Sequence, residues 1–595
     1  MICLMLLSLM PLLAAFWHQN PGSSLELGEY KFSLSAQPIK GKVVAVADVN
    51  ADGLHDLIVW QEGKLYFHLA SAKGAFSISP LSIPIKGKVV AVHYASFHSL
   101  QTSITTAEES PNLMVTTAAA DDSTFTTLFF SLQSTKLSSF KELPAMQLDS
   151  RSLLLLVNYH SAFSLDFLGM DLENRLVVWS FAQGKFAASA LETNCKLAAF
   201  HQSHFVDVNC NKKPDIVLHC SAMGKESAYL EFWLASQGGE KGKLAYTRNA
   251  TTFSLPLGTT ALKIADFFAN GISQLVVGDA NGKVQVLENN IHFCSAADKE
   301  PLNCAVLSGY NAIEVRGNVA VGFSNVPVLS LKLSSEASIA RIQLADVNLD
   351  GELELAVVLS NGTFKLLSQS TAKGERKLVS IEHSSLKAAY SLEAIEGISV
   401  FLAEQTPYLH LLLVNGKGET LILENESSFD SFFIHLYPLD VPFRRHGEFA
   451  PSAIGSVVYF TVHSGSTLRI QSFCFGAAST DSLSCLPSLT FGLGRMNNFL
   501  PYLTISRGGA SFERAWNSII PNSKLRAFVG EARGEEWWYL QIYFQKSKYF
   551  WTVFVVLLSV MVAFGGLSAG FKWREVAEDK LEKKRNLSRM NFNAL

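Results

Sequence analysis

The chain has 595 residues, which is too many for one small domain and predicts several. Hydrophobic residues make up 48% and charged residues 17% of the chain, a composition typical of folded globular domains rather than of disordered chains. The formal net charge is −3, and a nucleic-acid binder needs a strongly basic face, so the composition argues against nucleic-acid binding.

The N-terminal stretch MICLMLLSLMPLLAA, residues 1–15, is apolar and ends in small residues. This pattern predicts a secretory signal peptide that is cleaved near Ala15. A buried N-terminal helix is the alternative interpretation. A signal peptide would deliver the chain that follows into the secretory pathway.

One pattern repeats between residues 28 and 430: an apolar strand, a turn containing glycine, and a strand of alternating polarity. The clear copies are LIVWQEGKLYFHL (57–69), LVVWSFAQGKFAAS (176–189), LVVGDANGKVQVLE (275–288), AVVLSNGTFKLLS (356–368) and LLLVNGKGETLILE (411–424). Weaker units near 86–94 and 394–416 bring the count to about seven. Radially repeated units of this kind predict a β-propeller over residues 28–430. A pair of β-sandwiches is the alternative, but it does not explain the repeated order of loop, strand and hairpin.

Acidic nine-residue loops precede some of these hairpins, and two of them, DVNADGLHD (48–56) and DVNLDGELE (346–354), carry carboxylates at all three of positions 1, 5 and 9. Calcium binds six to eight oxygen atoms from carboxylates, amides and backbone carbonyls. Positions 1, 3, 5 and 9 supply side-chain oxygens, and position 7 supplies its carbonyl. The predicted ligands are Asp48, Asn50, Asp52, the Leu54 carbonyl and Asp56 in one loop, and Asp346, Asn348, Asp350, the Glu352 carbonyl and Glu354 in the other.

The spacing also begins an EF-hand, but position 12 is Val59 or Val357, where an EF-hand needs glutamate. A calcium loop between two strands is therefore the better interpretation. A third loop has fewer carboxylates, and the metal and turn interpretations are equally open there; its candidate ligands are Asp207, Asn209, Asn211 and Asp215. Loops that begin at Asp266 and Asp166 favour a plain turn, because Asp and Asn are common in turns.

Residues 431–548 contain short strand-like runs but lack the repeated unit. They predict a membrane-proximal β-rich domain with the architecture of a β-sandwich. Residues 549–571 contain no charged residue, and about 20 apolar residues suffice for a helix to cross a membrane. The tail, residues 572–595, has an excess of Lys and Arg, which marks the cytoplasmic side. The predicted topology is a single-pass type I membrane protein with an extracellular N-terminal part.

Cysteines and glycosylation sequons agree with this compartment. Asn249, Asn361 and Asn425 begin sequons in the ectodomain, whereas Asn586 begins one in the tail. Local disulfides are plausible for Cys294 with Cys304 and for Cys474 with Cys485, since each pair encloses a short polar loop. Cys195, Cys210 and Cys220 leave one thiol unpaired, and spacing does not decide which.

The acidic loops resemble the FG-GAP repeats of integrin α-subunit propellers. The C-terminal third is similar to a more specific group, through Gly492-Leu493-Gly494-Arg495, Ile519-Ile520-Pro521-Asn522-Ser523 and the tail motif Phe592-Asn593-Ala594. These motifs resemble the T-cell immunomodulatory protein family, also called the integrin-α FG-GAP repeat-containing or Linkin family. The resemblance implies a surface glycoprotein that acts in cell adhesion and signalling, including modulation of T cells.

The predicted architecture favours a binding protein. A propeller held on a membrane stalk and stiffened by calcium is suited to a protein partner, because loops on a rigid scaffold carry function. A secretory-pathway membrane protein that assists folding or transport is the alternative. An enzyme is not expected, because the chain has no H-E-x-x-H, G-x-S-x-G or paired-Cys zinc pattern.

Overall fold

The structure is a computed structural model. It describes residues 30–35, 38–50, 52–71, 75–95, 112–119, 124–132, 139–148, 153–182, 185–198, 201–221, 227–237, 244–290, 292–294, 304–308, 312–315, 321–372, 375–381, 394–403, 406–440, 452–464, 467–476, 488–496, 499–508, 512–532, 535–544 and 550–592. The predicted signal peptide, residues 1–15, lies outside the described residues.

Within these residues, seven four-stranded antiparallel sheets follow one another along the chain. We call them blades 1 to 7. The first strand of the chain, β1 (Phe32–Leu34), belongs to blade 7. Blade 1 contains β2 (Lys42–Ala47), β3 (Asp56–Gln61), β4 (Lys64–Ala70) and β5 (Phe76–Pro84). Blade 2 contains β6 (Lys88–Tyr94), β7 (Leu113–Ala118), β8 (Phe125–Leu132) and β9 (Phe140–Leu148).

The next two blades have the same strand order. Blade 3 contains β10 (Leu155–Val157), β11 (Asp166–Met170), β12 (Leu176–Ala182) and β13 (Lys185–Ala190). Blade 4 contains β14 (His204–Val206), β15 (Asp215–Cys220), β16 (Tyr229–Gln237) and β17 (Leu244–Ser254).

Blade 5 carries an insertion between its third and fourth strands. It is built from β18 (Thr259–Ala265), β19 (Gln274–Asp279), β20 (Lys283–Asn289) and β24 (Phe323–Lys332). The inserted three-stranded sheet contains β21 (His292–Cys294), β22 (Cys304–Ser308) and β23 (Ala312–Val315).

Blade 7 closes the ring with a strand from the other end of the chain. Blade 6 contains β25 (Ile339–Ala345), β26 (Glu354–Leu359), β27 (Phe364–Ala372) and β28 (Glu375–Ser380). Blade 7 contains β29 (Ile395–Leu402), β30 (Leu409–Asn415) and β31 (Thr420–Asn425), and β1 pairs with β31 as its outer strand. The N-terminal strand thus fastens the last blade.

Hydrophobic clusters join each blade to the next. Members of both blades occur in the shared clusters: Phe67 with Val115, Phe129 with Phe167, Val178 with Ile216, Phe232 with Leu275, Val276 with Leu355, Val358 with Leu411, and finally Leu412 of blade 7 with Val59 of blade 1. The seven blades therefore form a closed ring. The predicted propeller of about seven blades is confirmed.

Burial explains the repeated sequence pattern. The second strands of the blades, such as β26 and β30, are buried at every residue, because neighbouring blades cover both faces of the sheet. The fourth strands, such as β13, are exposed at most positions. A continuous apolar run followed by an alternating strand is thus the signature of the inner and outer parts of one blade.

The chain then forms a β-sandwich of two four-stranded sheets, as predicted. Its strands are β32 (Phe432–Leu439), β33 (Ser456–Ser464), β34 (Thr467–Phe475), β35 (Leu489–Gly494), β36 (Leu500–Arg507), β37 (Glu513–Ile519), β38 (Ser523–Ala532) and β39 (Glu535–Phe544). The sheet orders are β35-β32-β38-β39 and β34-β33-β36-β37. Their inner faces pack together in a core that also includes residues of blades 2 to 4.

The C-terminal unit contains one long helix, α1 (Phe550–Phe592). Among the described residues this is the one helix that is long and apolar enough to cross a membrane. It continues beyond the predicted apolar segment, through the charged residues that follow Phe571. Together with its exposed apolar surface, the helix suggests a single-pass membrane protein.

Candidate metal centres at the propeller and sandwich junction

Four acidic loops share one backbone conformation. Each loop links the first and second strands of a blade, and we name it by its first residue: the 48, 207, 266 and 346 loops. In each, the backbone N–H at position six donates to the position-one aspartate at 2.7 to 2.9 Å; the donors are Gly53, Lys212, Gly271 and Gly351. All four donors have positive φ, from 64° to 94°. Glycine suits this position because it adopts positive φ without steric cost, and Lys212 is the exception.

The side chain at position nine holds the start of the same loop. Its oxygen accepts a hydrogen bond from the backbone N–H at position two, seven residues earlier in the chain. The pairs are Val49 with Asp56 at 2.9 Å, Val208 with Asp215 at 3.1 Å, Phe267 with Gln274 at 2.7 Å and Val347 with Glu354 at 2.8 Å. A neutral glutamine serves as well as a carboxylate, so this role does not need a metal.

Blade 3 contains a fifth loop of this kind, but not at the position predicted from the sequence. Asp166 is the first residue of β11, and it accepts from the N–H of Tyr159 at 3.0 Å. Asp166 therefore holds position nine of a loop that begins at Asn158, and the prediction that it opens a loop is wrong. The hairpin 176–189 joins the third and fourth strands of blade 3. The other four quoted hairpins join the second and third strands of their blades, which in blade 7 are β30 and β31. Because this hairpin comes one strand later in its blade, the acidic loop that was aligned before it was also placed one strand too late.

Two loops leave one carboxylate oxygen of position one without a partner. Oδ1 of Asp48 and Oδ1 of Asp346 are buried and accept no hydrogen bond. In the other two loops this oxygen is used: Oδ1 of Asp207 accepts from Asn211 at 3.1 Å, and Oδ1 of Asp266 accepts from Asn270 at 2.9 Å. A buried unpartnered carboxylate oxygen is costly. The 48 and 346 loops, which carry carboxylates at positions 1, 5 and 9, therefore have a buried oxygen that lacks a donor or a cation.

The electrostatics of these two loops also favour a cation. The pKa of Asp48 is raised to about 6 and that of Asp56 to about 7, chiefly by burial and in part by the Asp52 carboxylate. Burial, followed by the negative charge of Asp350, raises the pKa of Asp346 and of Glu354 well above the ordinary range. A bound cation would stabilise the charged forms and reverse these shifts.

Positions three and five hold the middle of each predicted site. The backbone N–H of position five donates to the position-three amide, from Asp52 to Asn50 at 3.2 Å, from Asn211 to Asn209 at 3.1 Å and from Asp350 to Asn348 at 2.9 Å. The position-five side chain accepts from the N–H of position seven, which is Leu54, Lys213 or Glu352. Each candidate ligand therefore lies in its loop at the predicted position.

The donor sets suit calcium in chemistry, but the side chains are not gathered around a point. Among the described residues, no three acidic, histidine or cysteine side chains are grouped as metal ligands. In the 48 and 346 loops the amide of Asn50 or Asn348 donates to the carboxylate of Asp52 or Asp350, at 3.0 and 2.9 Å. Since an ion would compete for those same oxygens, binding requires side-chain rotation within the loop.

The acidic loops face the sandwich rather than solvent. In three of them, the position-one carboxylate Oδ2 that accepts from its own loop also accepts from the sandwich. The sandwich donors are the Tyr459 hydroxyl to Asp207, the Ser472 N–H to Asp266 at 3.0 Å and the Gly492 N–H to Asp346 at 2.9 Å. These aspartates are therefore docking residues for the sandwich, a role that no sequence pattern indicated.

Glycines allow this close approach. At Gly492, a side-chain carbon would overlap the Asp346 carboxylate and the Leu349 backbone. The next glycine of the same motif, Gly494, has φ 60° and donates its N–H to the Leu349 carbonyl at 3.0 Å. At Gly53, a side-chain carbon would overlap Arg526, whose guanidinium donates to the Asp52 carbonyl at 2.8 Å. The Gly-Leu-Gly-Arg motif thus contacts the 346 loop, as does Arg469 of β34, which donates to the Asp350 carbonyl at 3.2 Å.

The structure settles the cysteine question that spacing left open. Cys195 and Cys220 form a disulfide, and Cys210 is a buried free thiol. The predicted Cys474–Cys485 disulfide is wrong, because Cys474 is a free thiol whose side chain packs against the core of blades 4 and 5, while Cys485 lies outside the described residues. The side chains of Cys294 and Cys304 lie outside the described part, so their pairing remains a prediction.

The three predicted glycosylation sites differ in accessibility. Asn361 is exposed in a turn of blade 6, and Asn249 is partly exposed on β17. The predicted glycosylation of Asn425 is wrong for the folded protein, because this side chain is fully buried. Its amide nitrogen donates to the Val347 carbonyl at 2.8 Å and to the Leu409 carbonyl at 3.3 Å. A glycan on that nitrogen would displace both hydrogen bonds.

Two comparisons with known proteins relate this chain to one group. A family model described as "ITFG1, C2 domain" matches residues 448–543, which include seven of the eight sandwich strands almost completely. The T-cell immunomodulatory protein homolog of Plasmodium falciparum (isolate 3D7) is 22% identical over 448 residues, 64% of this chain and 60% of that protein. This chain therefore spans 60% of the length of that relative.

The fold also has a distant likeness among solved structures. A crystal structure of BBS1N in complex with ARL6DN, soaked with lead, aligns with a TM-score of 0.37 and 12% identity, covering 67% of this chain and 97% of that one. This likeness is too weak to carry an argument about function. The C2-domain match over the sandwich and the name of the relative agree with the motifs between Gly492 and Ser523. The chain is therefore similar to the T-cell immunomodulatory protein family, through its sandwich and through this relative.

Proposed function

We propose that the protein is a type I plasma-membrane glycoprotein of cell adhesion or signalling, whose ectodomain binds a protein partner and is stiffened by two calcium ions. The observation that carries the calcium part is the buried, unpartnered Oδ1 of Asp48 and of Asp346. Both oxygens lie in the loops that have carboxylates at positions 1, 5 and 9, and both loops lie under the sandwich. The family name supports the signalling part, since the relative is named a T-cell immunomodulatory protein homolog.

Calcium in these loops would neutralise carboxylates that otherwise resist ionisation. The proposed ligands are the predicted ones: positions 1, 3, 5 and 9 and the position-seven carbonyl of the 48 and 346 loops. The ion would bind the free oxygen of a carboxylate whose other oxygen is already fixed by the loop and, at Asp346, by the sandwich. Calcium would thereby stabilise the junction between propeller and sandwich.

We propose no metal in the 207 and 266 loops. Both oxygens of Asp207 and both oxygens of Asp266 already accept hydrogen bonds. In the 207 loop, the Lys212 ammonium at position six pairs with Glu513 of the sandwich at 2.7 Å. These contacts give the two loops a docking role that needs no ion.

A partner would bind on the propeller face opposite the sandwich. In the blades that carry an acidic loop, the second strand begins at that loop and ends at the turn to the third strand, so the loop and the turn lie at opposite ends of the blade. Turns at that opposite face include Glu62–Gly63, Asn281–Gly282 and Asn361–Gly362. Surface loops on a rigid scaffold are common binding elements, and this face is not covered by the sandwich.

A cluster of serine, histidine and aspartate in blade 3 has the residue types of a catalytic triad but not its geometry. The Ser180 hydroxyl and the Asp166 carboxylate both contact Nδ1 of His160, each at 3.1 Å. A nucleophile and an orienting carboxylate must lie at opposite ring nitrogens for the histidine to relay a proton. We therefore propose binding and not a hydrolytic reaction.

Thermal unfolding of the full-length protein in detergent, in calcium and in chelator, tests the metal sites. A site held at 100 times its Kd stabilises the fold by about 2.7 kcal/mol, so the wild type should unfold several degrees higher in calcium. The double variant Asp48→Asn/Asp346→Asn should lose this difference. Asp171→Asn, in an exposed turn, is the control and should keep it. An identical unfolding temperature of the wild type in calcium and in chelator would refute calcium binding.

Surface biotinylation followed by crosslinking tests the cellular role. The tagged full-length protein should be biotinylated on intact cells and should crosslink to a protein partner. Substitutions in the turns opposite the sandwich, such as Glu62→Arg, should reduce crosslinking without changing surface delivery. Retention of the protein inside the secretory pathway would instead favour a role in folding or transport.

A further inference from the structure

A cavity between the propeller and the sandwich connects the two proposed calcium loops. Its volume is about 120 Å³, and Asp48 of blade 1 and Asp346 of blade 6 both line it. Inner strands of the ring form its floor, and sandwich residues such as Phe473 and Thr490 form its roof. Each water occupies about 30 Å³ in the liquid, so the cavity has room for a few waters beside the loops.

Gln343 lines the same cavity and has an unused acceptor. It lies on β25, three residues before Asp346, and only 6% of it is exposed. Its Oε1 is buried and has no hydrogen-bond partner. The amide nitrogen makes a single long contact, 3.4 Å to the Leu344 carbonyl. A buried amide with an unpaired oxygen is unfavourable unless something donates to it or a cation approaches it.

The calcium proposal leaves room for this oxygen. Each loop supplies five protein oxygens, from positions 1, 3, 5, 7 and 9, when each carboxylate binds through one oxygen. Calcium takes about six to eight, so in that arrangement at least one more oxygen comes from outside the loop. Gln343 lies on the blade of the 346 loop, and it faces the cavity that Asp346 also faces.

We propose that Oε1 of Gln343 supplies a further oxygen to the ion in the 346 loop, either directly or through one water in the cavity. This inference rests on the proposed calcium function. Gln343 lies outside the acidic pattern, so the spacing of the loops could not reveal it. It would couple the ion to the inner strand of blade 6 and raise the affinity of this loop.

Calcium titration of the full-length protein in detergent, followed by isothermal calorimetry, tests the role of Gln343. The background variant Asp48→Asn/Asp52→Asn disables the 48 loop, so that the 346 loop alone titrates. In this background, Gln343→Leu should weaken calcium binding by about tenfold, the scale seen when a residue that supports a metal ligand is removed. Gln343→Glu, which keeps the oxygen and adds charge, should bind at least as tightly as the background.

Gln369→Leu is the matched control. Its Oε1 is also buried and unpartnered, but Gln369 does not line the cavity, and its amide nitrogen donates to the Phe267 carbonyl at 2.8 Å. This variant should lose thermal stability in chelator and keep its calcium affinity. Gln343→Leu should show the reverse: unchanged stability in chelator and a smaller stabilisation by calcium.

The outcomes separate the two proposals. An unchanged affinity in Gln343→Leu, in a background that binds calcium, overturns the role of Gln343 and leaves the calcium loops standing. A wild-type protein that binds no calcium overturns the calcium function itself. Equal loss of stability in calcium and in chelator would make Gln343 a structural residue and would also overturn this inference.

Discussion

Among single residues, the position-nine side chain is the common element of all five described loops. Aspartate, glutamate and glutamine all serve there, because the task is to accept a backbone hydrogen bond at the start of the loop. Position one is different. In the four acidic loops it is an aspartate, and whether its Oδ1 accepts a hydrogen bond separates the 207 and 266 loops from the two candidate metal loops.

Asp166→Ala tests the role of position nine without any metal. The Asp166 carboxylate accepts from the N–H of Tyr159 at 3.0 Å and of His160 at 2.9 Å in a buried setting. Unpairing buried donors costs about 1–3 kcal/mol each, so we expect a loss of about 2–4 kcal/mol, equal in calcium and in chelator. Thermal unfolding measures it. Asp171→Ala removes two similar backbone hydrogen bonds and an ion pair with Arg175 from an exposed turn. It should cost less than about 1 kcal/mol, and equal losses in the two variants would contradict the prediction.

His201 gives a pH dependence of known sign. Burial lowers the pKa of His201 to about 4, and its ring contacts Ser203 and the Leu153 carbonyl. The unfolded chain titrates near pH 6.5, so it binds more protons than the folded chain between about pH 6.5 and pH 4. The contribution of His201 to the free energy of unfolding should therefore be fully present above about pH 6.5. It should fall as the pH decreases from about 6.5 to about 4.

His201→Gln keeps a donor for the Leu153 carbonyl and removes the titration. Denaturation in chelator between pH 7 and pH 4 should show a shallower loss for the variant than for the wild type, by up to about 3 kcal/mol at pH 4. Comparing the two proteins at each pH cancels the contribution of the carboxylates. Parallel pH profiles would show that His201 does not titrate in this range.

Among the structural elements, the sandwich is docked on the loops between the first and second strands of the blades. Its strands β33, β34 and β35 supply Tyr459, Ser472 and Gly492, one donor for each of three aspartates. The same loops that resemble integrin calcium loops are therefore part of an intramolecular interface. Because these carboxylates hold the sandwich, a change in their charge should change how tightly the sandwich docks. We propose that calcium causes such a change.

Gly492→Ala tests this docking at its closest point. The added methyl group would overlap the Asp346 carboxylate, so β35 has to move away from the 346 loop. Overpacking of this kind costs about 1–3 kcal/mol, and limited proteolysis at the junction should become faster. Gly397→Ala on β29 is the control, since its methyl group would lie 3.4 Å from Val414, an ordinary contact. Equal proteolysis of the two variants would argue against docking through Gly492.

Across the complete propeller, ring closure ties distant parts of the chain together. The pairing of Phe32 with Asn425 brings both ends of the propeller into one sheet. It also buries Asn425, whose amide holds the Val347 carbonyl at the start of the 346 loop. Closure of the ring and the shape of a candidate metal loop are thus connected through one buried side chain.

Glycan mapping tests topology and closure together. We expect two N-glycans, on Asn249 and Asn361. Glycosidase treatment should therefore increase the gel mobility of the wild type by two glycans and that of Asn249→Gln or Asn361→Gln by one. Asn425→Gln should leave mobility unchanged and lower the unfolding temperature, because it disturbs two buried hydrogen bonds. A glycan on Asn586 would show that the tail is lumenal and would reverse the proposed orientation; a glycan on Asn425 would contradict the closed ring.

Local sequence patterns were enough to predict the blades, the sandwich, the apolar helix and the positions of the acidic loops. Each of these depends on nearby signals: alternation of polarity, glycine in turns and the length of an apolar run. The acidic loop of blade 3 was predicted at the wrong position, because the glycine-containing turn of this blade joins its third and fourth strands rather than its second and third.

The contacts across the ring could be found only in the folded chain. Folding paired Cys195 with Cys220, buried Asn425, placed Cys474 against the propeller and turned the acidic loops toward the sandwich. Gly492 and Asp346 are 146 residues apart, so no local pattern encodes their contact. The sandwich donors to Oδ2 of Asp207, Asp266 and Asp346 depend on packing between distant segments, so only the folded chain reveals them. Whether Oδ1 of position one has a partner depends instead on the exact backbone conformation of each loop, which residue types at matching positions do not specify.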